Sequence, residues 1–176
     1  TEWLNDFCRK HGKTATVIPT PVETDIIKPK AKAENKTLVI GWIGSAWTTG
    51  YLEPIIPALQ KLATDYEFKF LTVGAKAGFT VEGINHTNMT WEPGIEPKAL
   101  TQIDIGIMPL PDDDYARAKG GYKLYLYMAA GLPCIASPVG INSAIIKENI
   151  NGLLASIESE WYNSLKTLLD KPELRY

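Results

Sequence analysis

Apolar positions along the chain alternate between two patterns, the short continuous run of a buried strand and the spacing of three to four residues of a helix. Residues 38–43 (LVIGWI) form a continuous apolar run, which predicts a strand buried on both faces. Apolar residues spaced helically between 55 and 62 predict a helix, and Pro54 places its start near that residue, because proline is tolerated only in the first turn.

The same alternation runs to the end of the chain. The patterns predict further strands at 68–73, 89–91, 103–108, 134–137 and 153–155, and helices at 97–102, 121–130, 143–148 and around 161–169. Strands that alternate with helices at short spacing indicate βαβ units. The predicted fold is therefore α/β, a Rossmann-like three-layer sandwich with a mostly parallel sheet.

The first 36 residues have a different pattern. A helix is predicted over 2–10 and a short strand over 16–18, which the following Pro-Thr-Pro ends. Residues 27–36 are polar and rich in lysine, which is typical of a solvated linker. We therefore expect 1–36 to be an N-terminal helix, strand and linker segment, and 37–176 to be the Rossmann-like domain.

Composition narrows the classes of partner and the location. The net charge of −2 indicates no general affinity for nucleic acid, so any basic site must be local. No apolar run reaches the roughly 18 residues of a membrane span. Cys134 lies in an apolar run and is interpreted as a core residue, and the N-terminus shows no signal pattern. We therefore expect a cytoplasmic location, with peripheral attachment to the inner membrane left open for the full-length protein.

The most informative segment gathers three cations at the start of a predicted helix. Arg117, Lys119 and Lys123 surround Gly120 and Gly121. Positive charge at a helix start opposes the helix dipole, by about 0.3–1 kcal/mol per charge, which indicates that an anion such as phosphate binds there. In a parallel sheet such a ligand lies beyond the carboxyl ends of the strands, where the strand order reverses. Alternatively, the acidic run 112–114 neutralises these cations on a surface loop.

Other chemistries have weaker support. The acidic run 112–114 is interpreted as a solvated loop, so no metal is expected. His11 and His86 stand in separate contexts and form no catalytic set with a nucleophile or a metal. Residues 41–45 lack the third glycine and the following acid of a dinucleotide fingerprint, which argues against an NAD site. No catalytic residue is assigned.

Several motifs in a fixed order resemble one known family. They are 40–45 (IGWIGS), 104–110 (DIGIMPL), 119–133, 136–140 (ASPVG) and 151–155 (NGLLA), preceded by 17–25 (VIPTPVETD). This series resembles the C-terminal half of the group 1 (family 4) glycosyltransferases, and 17–25 resembles the segment that joins the two halves of their GT-B fold.

The resemblance implies a retaining transferase of hexosyltransferase type that moves a sugar from a nucleotide-diphosphate sugar to a glycan or lipid-linked acceptor in polysaccharide biosynthesis. The nucleotide-sugar is a substrate, so no cofactor is expected. The resemblance also implies that the N-terminal acceptor domain is absent from this chain, so that this fragment alone is expected to be inactive.

The resemblance and the helix-start argument together assign a nucleotide-sugar-binding site. Its predicted residues are Gly44, Ser45, Arg117, Lys119, Gly121, Lys123, Leu124, Val139, Gly140 and Asn142. Three positions where the family often has acidic residues carry Ala118, Leu126 and Ala144 instead, and the loop at 44–47 has no basic residue. These departures keep two alternatives open, a degenerate non-catalytic binding domain and a nucleotide-sugar epimerase of the same fold.

Overall fold

A computed structural model describes residues 1–30 and 37–175. In these residues six strands form one sheet, in the order β3-β2-β1-β4-β5-β6, and every neighbouring pair is parallel. The strands are β1 (Leu38–Ile43), β2 (Phe68–Val73), β3 (Asn85–Met89), β4 (Ile105–Met108), β5 (Cys134–Ala136) and β6 (Leu153–Leu154). The predicted strands of the Rossmann-like domain are present except the one at 89–91, and the sheet is parallel throughout this part of the chain.

The helices are α1 (Glu2–Lys10), α2 (Ile56–Leu62), α3 (Ile95–Leu100), α4 (Asp114–Arg117), α5 (Tyr122–Ala129), α6 (Asn142–Ile145) and α7 (Glu158–Asp170). Two 3-10 helices, Ala46–Ile55 and Pro172–Arg175, complete the described elements. No helix in the described residues is long and apolar enough to cross a membrane.

Two hydrophobic clusters cover the two faces of the sheet. Val39 and Ile43 of β1 belong to the cluster that contains α3 and α5, whereas Ile40 and Trp42 belong to the cluster that contains α2 and α7. Because successive strand residues point to opposite faces, this alternation places one helical layer on each side. The predicted three-layer sandwich is confirmed.

The strand order reverses between β1 and β4. β1 pairs with β2 over six positions, from Leu38–Phe68 to Ile43–Val73, but with β4 only at Ile40–Ile105 and Gly41–Gly106. The last residues of β1 therefore have no ladder partner on the β4 side. This gap, which we call the switch-point crevice, is where open parallel sheets bind ligands.

Several sequence predictions differ from the structure. Pro54 lies inside the 3-10 helix Ala46–Ile55, and α2 begins only at Ile56. The helix predicted at 143–148 is the shorter Asn142–Ile145. The strand predicted at 16–18 is wrong: these residues are irregular, and Ile18 is 83% exposed. The third strand is Asn85–Met89 rather than 89–91. It is an edge strand whose residues are exposed or half-buried, so its sequence carries no apolar run.

The N-terminal segment is anchored to the sheet. Lys30 donates to the Ile103 carbonyl and to the Asp104 carboxylate, over 2.9 and 2.5 Å, and Asp104 also accepts from the Val39 amide over 2.8 Å. Ile27 is buried in the cluster with α3 and α5. Part of the predicted linker is thus packed, and residues 31–36 lie outside the described residues.

Candidate functional site

Tyr127 lies at the base of the switch-point crevice and bonds to β1 and β4. The Ile43 amide, which has no β4 partner, donates to the Tyr127 hydroxyl over 3.1 Å, and that hydroxyl donates to the Ile107 carbonyl over 3.3 Å. Burial raises the pKa of Tyr127 well above its ordinary value, so the hydroxyl keeps its proton. The ring packs on Gly106, where a Cβ would collide with it. Tyr127 therefore fixes α5 against β1 and β4 at the crevice.

Lys123, in the first turn of α5, reaches across the carboxyl edge of the sheet. Its Nζ lies 4.8 Å from the centroid of the Trp42 ring, which is completely buried and belongs to the cluster on the other face of the sheet. Lys123 keeps some solvent contact, but burial and then the nearby charge of Lys119 lower the pKa of its ammonium to about 7. The positive charge of Lys123 is therefore poorly compensated by the protein.

Lys119 lies beside Lys123 and is framed by two tyrosines. Its Nζ is 4.3 Å from the ring centroid of Tyr115 and 5.7 Å from that of Tyr51, which belongs to the 3-10 helix after β1. Across residues 1–30 and 37–175, neither Lys119 nor Lys123 forms an ion pair with a carboxylate. The crevice thus holds two neighbouring lysine amines that have no carboxylate partner among the described residues.

Arg117 has a different environment. Its guanidinium donates two hydrogen bonds to Asp112, over 2.7 and 3.0 Å, and lies 3.7 Å from Asp114. The bonds from Arg117 lower the pKa of the Asp112 carboxyl. Asp113 accepts from the Ala116 amide and caps α4. The neutralisation considered for the acidic run thus applies to Arg117 but not to the two lysines.

Two glycines with left-handed backbone shape the loops around the lysines. Gly121, at φ +71°, precedes α5 and provides no side chain to cap it, so the amides of Tyr122 and Lys123 are open to an anion, whereas the Leu124 amide bonds to the Gly121 carbonyl. Gly140, at φ +57°, packs on the backbone of Arg117, and a Cβ there would lie 2.7 Å from the Arg117 carbonyl oxygen. The loop after β5 therefore contacts the loop before α5 closely.

The loop after β1 is formed by Gly44 and Ser45. A Cβ at Gly44 would collide with the Trp42 ring, so this turn passes directly over the indole. Ser45 is exposed and begins the 3-10 helix, and its amide donates to the Thr48 hydroxyl over 3.2 Å. Both predicted residues therefore border the crevice on the β1 side.

Three of the predicted site residues have buried side chains. Leu124 is a core residue whose amide bonds to the Gly121 carbonyl over 2.9 Å, and Val139 is also buried. Asn142 donates to the Ser137 carbonyl over 3.1 Å, which holds the loop after β5 in place. The structure thus places these side chains behind the crevice, where they support its loops and do not face its opening.

The three positions at which the family often has acidic residues differ from one another in solvent exposure. Leu126 is completely buried in the cluster with α3, Ala118 is half-buried, and Ala144 is exposed. The carbonyl of Ala118 accepts a 3.4 Å hydrogen bond from the Thr1 hydroxyl. Leu126 therefore has a packing role in this chain.

Sequence reasoning did not assign Trp42 and Tyr127 to the site. Tyr127 lies four residues after Lys123, so the two share one face of α5. A buried tyrosine hydroxyl usually finds a hydrogen-bond partner, and this was the available signal for Tyr127. For Trp42 the sequence held no such signal, because an indole within an apolar run is typical of any core.

Comparisons with known proteins identify one family and several similar folds. The family model described as glycosyl transferases group 1 matches residues 37–171. No curated protein sequence matches the chain. The C-terminal domain of a glycosyl transferase group 1 family protein (LpcC) from Francisella tularensis is a similar solved structure, with 18% identity, a TM-score of 0.68, and coverage of 89% of this chain and 91% of that one.

Two longer enzymes are also similar in fold. HepE from Anabaena, solved with UDP and glucose, has 14% identity and a TM-score of 0.71, with coverage of 95% of this chain and 51% of that one. Sucrose-phosphate synthase from Thermosynechococcus elongatus has 15% identity and a TM-score of 0.73, with coverage of 99% and 49%. The chain therefore spans about half the length of these two enzymes.

Proposed function

The chain belongs to the group 1 glycosyl transferases, and we propose that it is the donor-binding half of a retaining enzyme that transfers a sugar from a nucleotide-diphosphate sugar. The family membership confirms the resemblance drawn from the ordered motifs, and the parallel sheet is that of one half of a GT-B fold. The acceptor, a glycan or a lipid-linked glycan, would bind mainly to a second domain outside this chain. Polysaccharide biosynthesis in the cytoplasm is the setting we propose.

The observation that supports this proposal most strongly is the pair of lysine amines without a carboxylate partner at the switch-point crevice. Lys119 and Lys123 are held beside each other by Trp42, Tyr51 and Tyr115. A diphosphate supplies the two negative charges that the described protein groups do not, and the open amides of α5 add hydrogen-bond donors. Arg117, paired with Asp112, is the weaker of the three predicted phosphate ligands.

The same lysines would act on the reaction as well as on binding. When the bond between the sugar and the diphosphate breaks, negative charge grows on the leaving diphosphate. Cations that are already in place at that charge stabilise the transition state. Lys119 and Lys123 thus have the chemistry needed to stabilise a leaving nucleoside diphosphate.

Contacts to the sugar and the ribose would differ from those of many relatives. Leu126 is buried, and Ala118 and Ala144 have no polar side-chain atoms, so none of the three offers a carboxylate. Recognition by this half would therefore rest mainly on the diphosphate, with sugar specificity provided by loop shape and the second domain.

A thermal-shift panel with UDP, GDP and ADP tests the proposal. HepE was solved with UDP, which makes UDP the first nucleotide to try. A ligand at 100 times its Kd stabilises a protein by about 2.7 kcal/mol, and each kcal/mol raises the Tm of a domain of this size by roughly 2–4 °C. We expect at least one nucleotide to raise the Tm by several degrees.

The variant Lys119→Met should reduce that shift. Lys61→Met is its matched control, because Lys61 lies 4.7 Å over the Tyr162 ring, between α2 and α7, and should leave the shift unchanged. If no nucleotide raises the Tm at millimolar concentration, the proposed function is contradicted.

The buried Leu126 favours a second candidate, a domain that binds a donor but has lost transfer. A full-length protein that binds the nucleotide-sugar but neither transfers nor hydrolyses it would support this candidate. An epimerase of the same fold is the other alternative, and it predicts epimer formation without an acceptor.

A further inference from the structure

We propose that Trp42 is a positioning residue for the donor: its ring fixes the Lys123 amine at the switch-point crevice, away from carboxylates, so that a bound diphosphate draws a proton onto Lys123. This inference rests on the proposed function, because it concerns the same site. It adds a residue that the motifs do not assign, and it adds a coupling between donor binding and pH.

The indole is fixed from two directions. Trp42 is completely buried in the cluster with α2 and α7, and the turn at Gly44 passes over its ring so closely that a Cβ would collide. Lys123 approaches from a helix that is itself anchored, because the Tyr127 hydroxyl bonds to the Ile43 amide of β1. The 4.8 Å separation of the Lys123 Nζ from the indole centroid therefore joins two rigid parts of the fold.

The groups around the amine leave its charge uncompensated. The charged and titratable residues near the site lie on several elements. They are Lys119 before α5, Tyr51 of the 3-10 helix, Asp112, Asp113, Asp114, Tyr115 and Arg117 at α4, Tyr127 of α5, and Glu23 and Glu96, which lie near Tyr122. β1 and the loop 138–142 contain no titratable side chain. In the described part of the chain, Lys123 forms no ion pair with any of these acids.

The sign of the coupling follows from this environment. Without a ligand, burial and Lys119 hold the pKa of Lys123 at about 7, so at pH 8 about nine-tenths of the molecules carry a neutral amine. A diphosphate next to the amine favours its charged form and raises that pKa. Binding at pH 8 should therefore take up about 0.9 proton, and affinity should fall up to about tenfold per pH unit above pH 8.

Calorimetric titration with UDP, GDP and ADP between pH 6.5 and 9 tests the inference. Each titration is repeated in two buffers of different ionisation enthalpy, which gives the number of protons taken up. At pH 8 the terminal phosphate, with a pKa near 6, is already ionised and contributes almost no proton. We expect an uptake near one proton at pH 8 that falls toward zero at pH 6.5 or below.

Two variants separate the roles of the amine and the indole. Lys123→Arg keeps a charge at every pH tested, so it should bind the diphosphate with almost no proton uptake and no pH slope. Trp42→Leu removes the ring that holds the amine in its buried position, so proton uptake should fall below that of the wild type. Trp161→Phe, a change at another buried indole of the same cluster, is the control for a general loss of packing.

The outcomes distinguish this inference from the proposed function. If none of the three nucleotides binds, the proposed function fails and the inference fails with it. If a nucleotide binds without proton uptake, or with the same pH slope in Lys123→Arg, the inference is overturned and the proposed function stands. If Trp42→Leu binds with the full proton uptake of the wild type, the positioning role of Trp42 is overturned.

Discussion

Replacing Tyr127 by phenylalanine tests whether its hydroxyl holds the crevice together. The substitution keeps the ring on Gly106 and leaves no cavity, so only two hydrogen bonds are lost. The Ile43 amide, in a residue only 4% exposed, then has neither a strand partner on the β4 side nor water. An unsatisfied buried donor costs about 1–3 kcal/mol. We therefore expect Tyr127→Phe to lower the free energy of unfolding by about that amount.

Urea denaturation of the wild type and of two variants measures this effect. Tyr125→Phe is the matched control, since Tyr125 lies on the same helix and no hydrogen bond of its hydroxyl is found among the described residues. The free energy of unfolding should fall for Tyr127→Phe and stay within about 0.5 kcal/mol of the wild type for Tyr125→Phe. Equal midpoints for the two variants would refute the role assigned to the Tyr127 hydroxyl.

Three further predictions address the rest of the site and the N-terminal segment. Gly140→Ala should weaken nucleotide binding, because a Cβ cannot fit against the neighbouring loop at φ +57°; unchanged affinity in a calorimetric titration would contradict this contact. Lys123→Met should abolish a pH dependence of the free energy of unfolding. The pKa of Lys123 is about 7 in the folded state and 10.5 in the unfolded state, so the unfolded state binds more protons between these pH values. From pH 7 to 9 the free energy of unfolding of the wild type should therefore rise by up to about 1 kcal/mol per pH unit relative to the variant. If the free energies of unfolding of the wild type and the variant changed in parallel with pH in that range, the lowered pKa of the Lys123 amine would be contradicted. Lys30→Met should cost on the order of 2 kcal/mol by leaving the buried Asp104 carboxylate without its cation, whereas Lys28→Met, at an exposed pair, should cost almost nothing in the same denaturation assay.

Elements whose sequence pattern reflects burial were predictable. β1 is a continuous apolar run because both of its faces are covered. The edge strand β3 was misplaced because solvent on its open side permits the polar sequence NHTNM, which carries no burial signal. The strand at 16–18 was wrong because three apolar-to-neutral residues are too short a pattern when no neighbouring strand pairs with them.

The chemistry of the site was only partly predictable, because three similar cations have different tertiary partners. Arg117 and Lys119 are two residues apart in the sequence, yet Arg117 is paired with Asp112 while Lys119 lies between two tyrosine rings. The contact of Lys123 with Trp42 joins residues far apart in the chain. Local sequence patterns do not show which loops contact each other in the fold. The sequence therefore indicated the segment 117–123 but not which of its cations lack a carboxylate partner.

The most direct test of the donor site is a crystal structure of the protein with the nucleoside diphosphate that stabilises it most. We expect phosphate oxygens within hydrogen-bond distance of the Lys123 Nζ, with the amides of Tyr122 and Lys123 and the Lys119 amine completing the site. A nucleotide bound elsewhere, for instance in the 490 Å³ cavity lined by Cys134, Leu168 and Arg175, would contradict it.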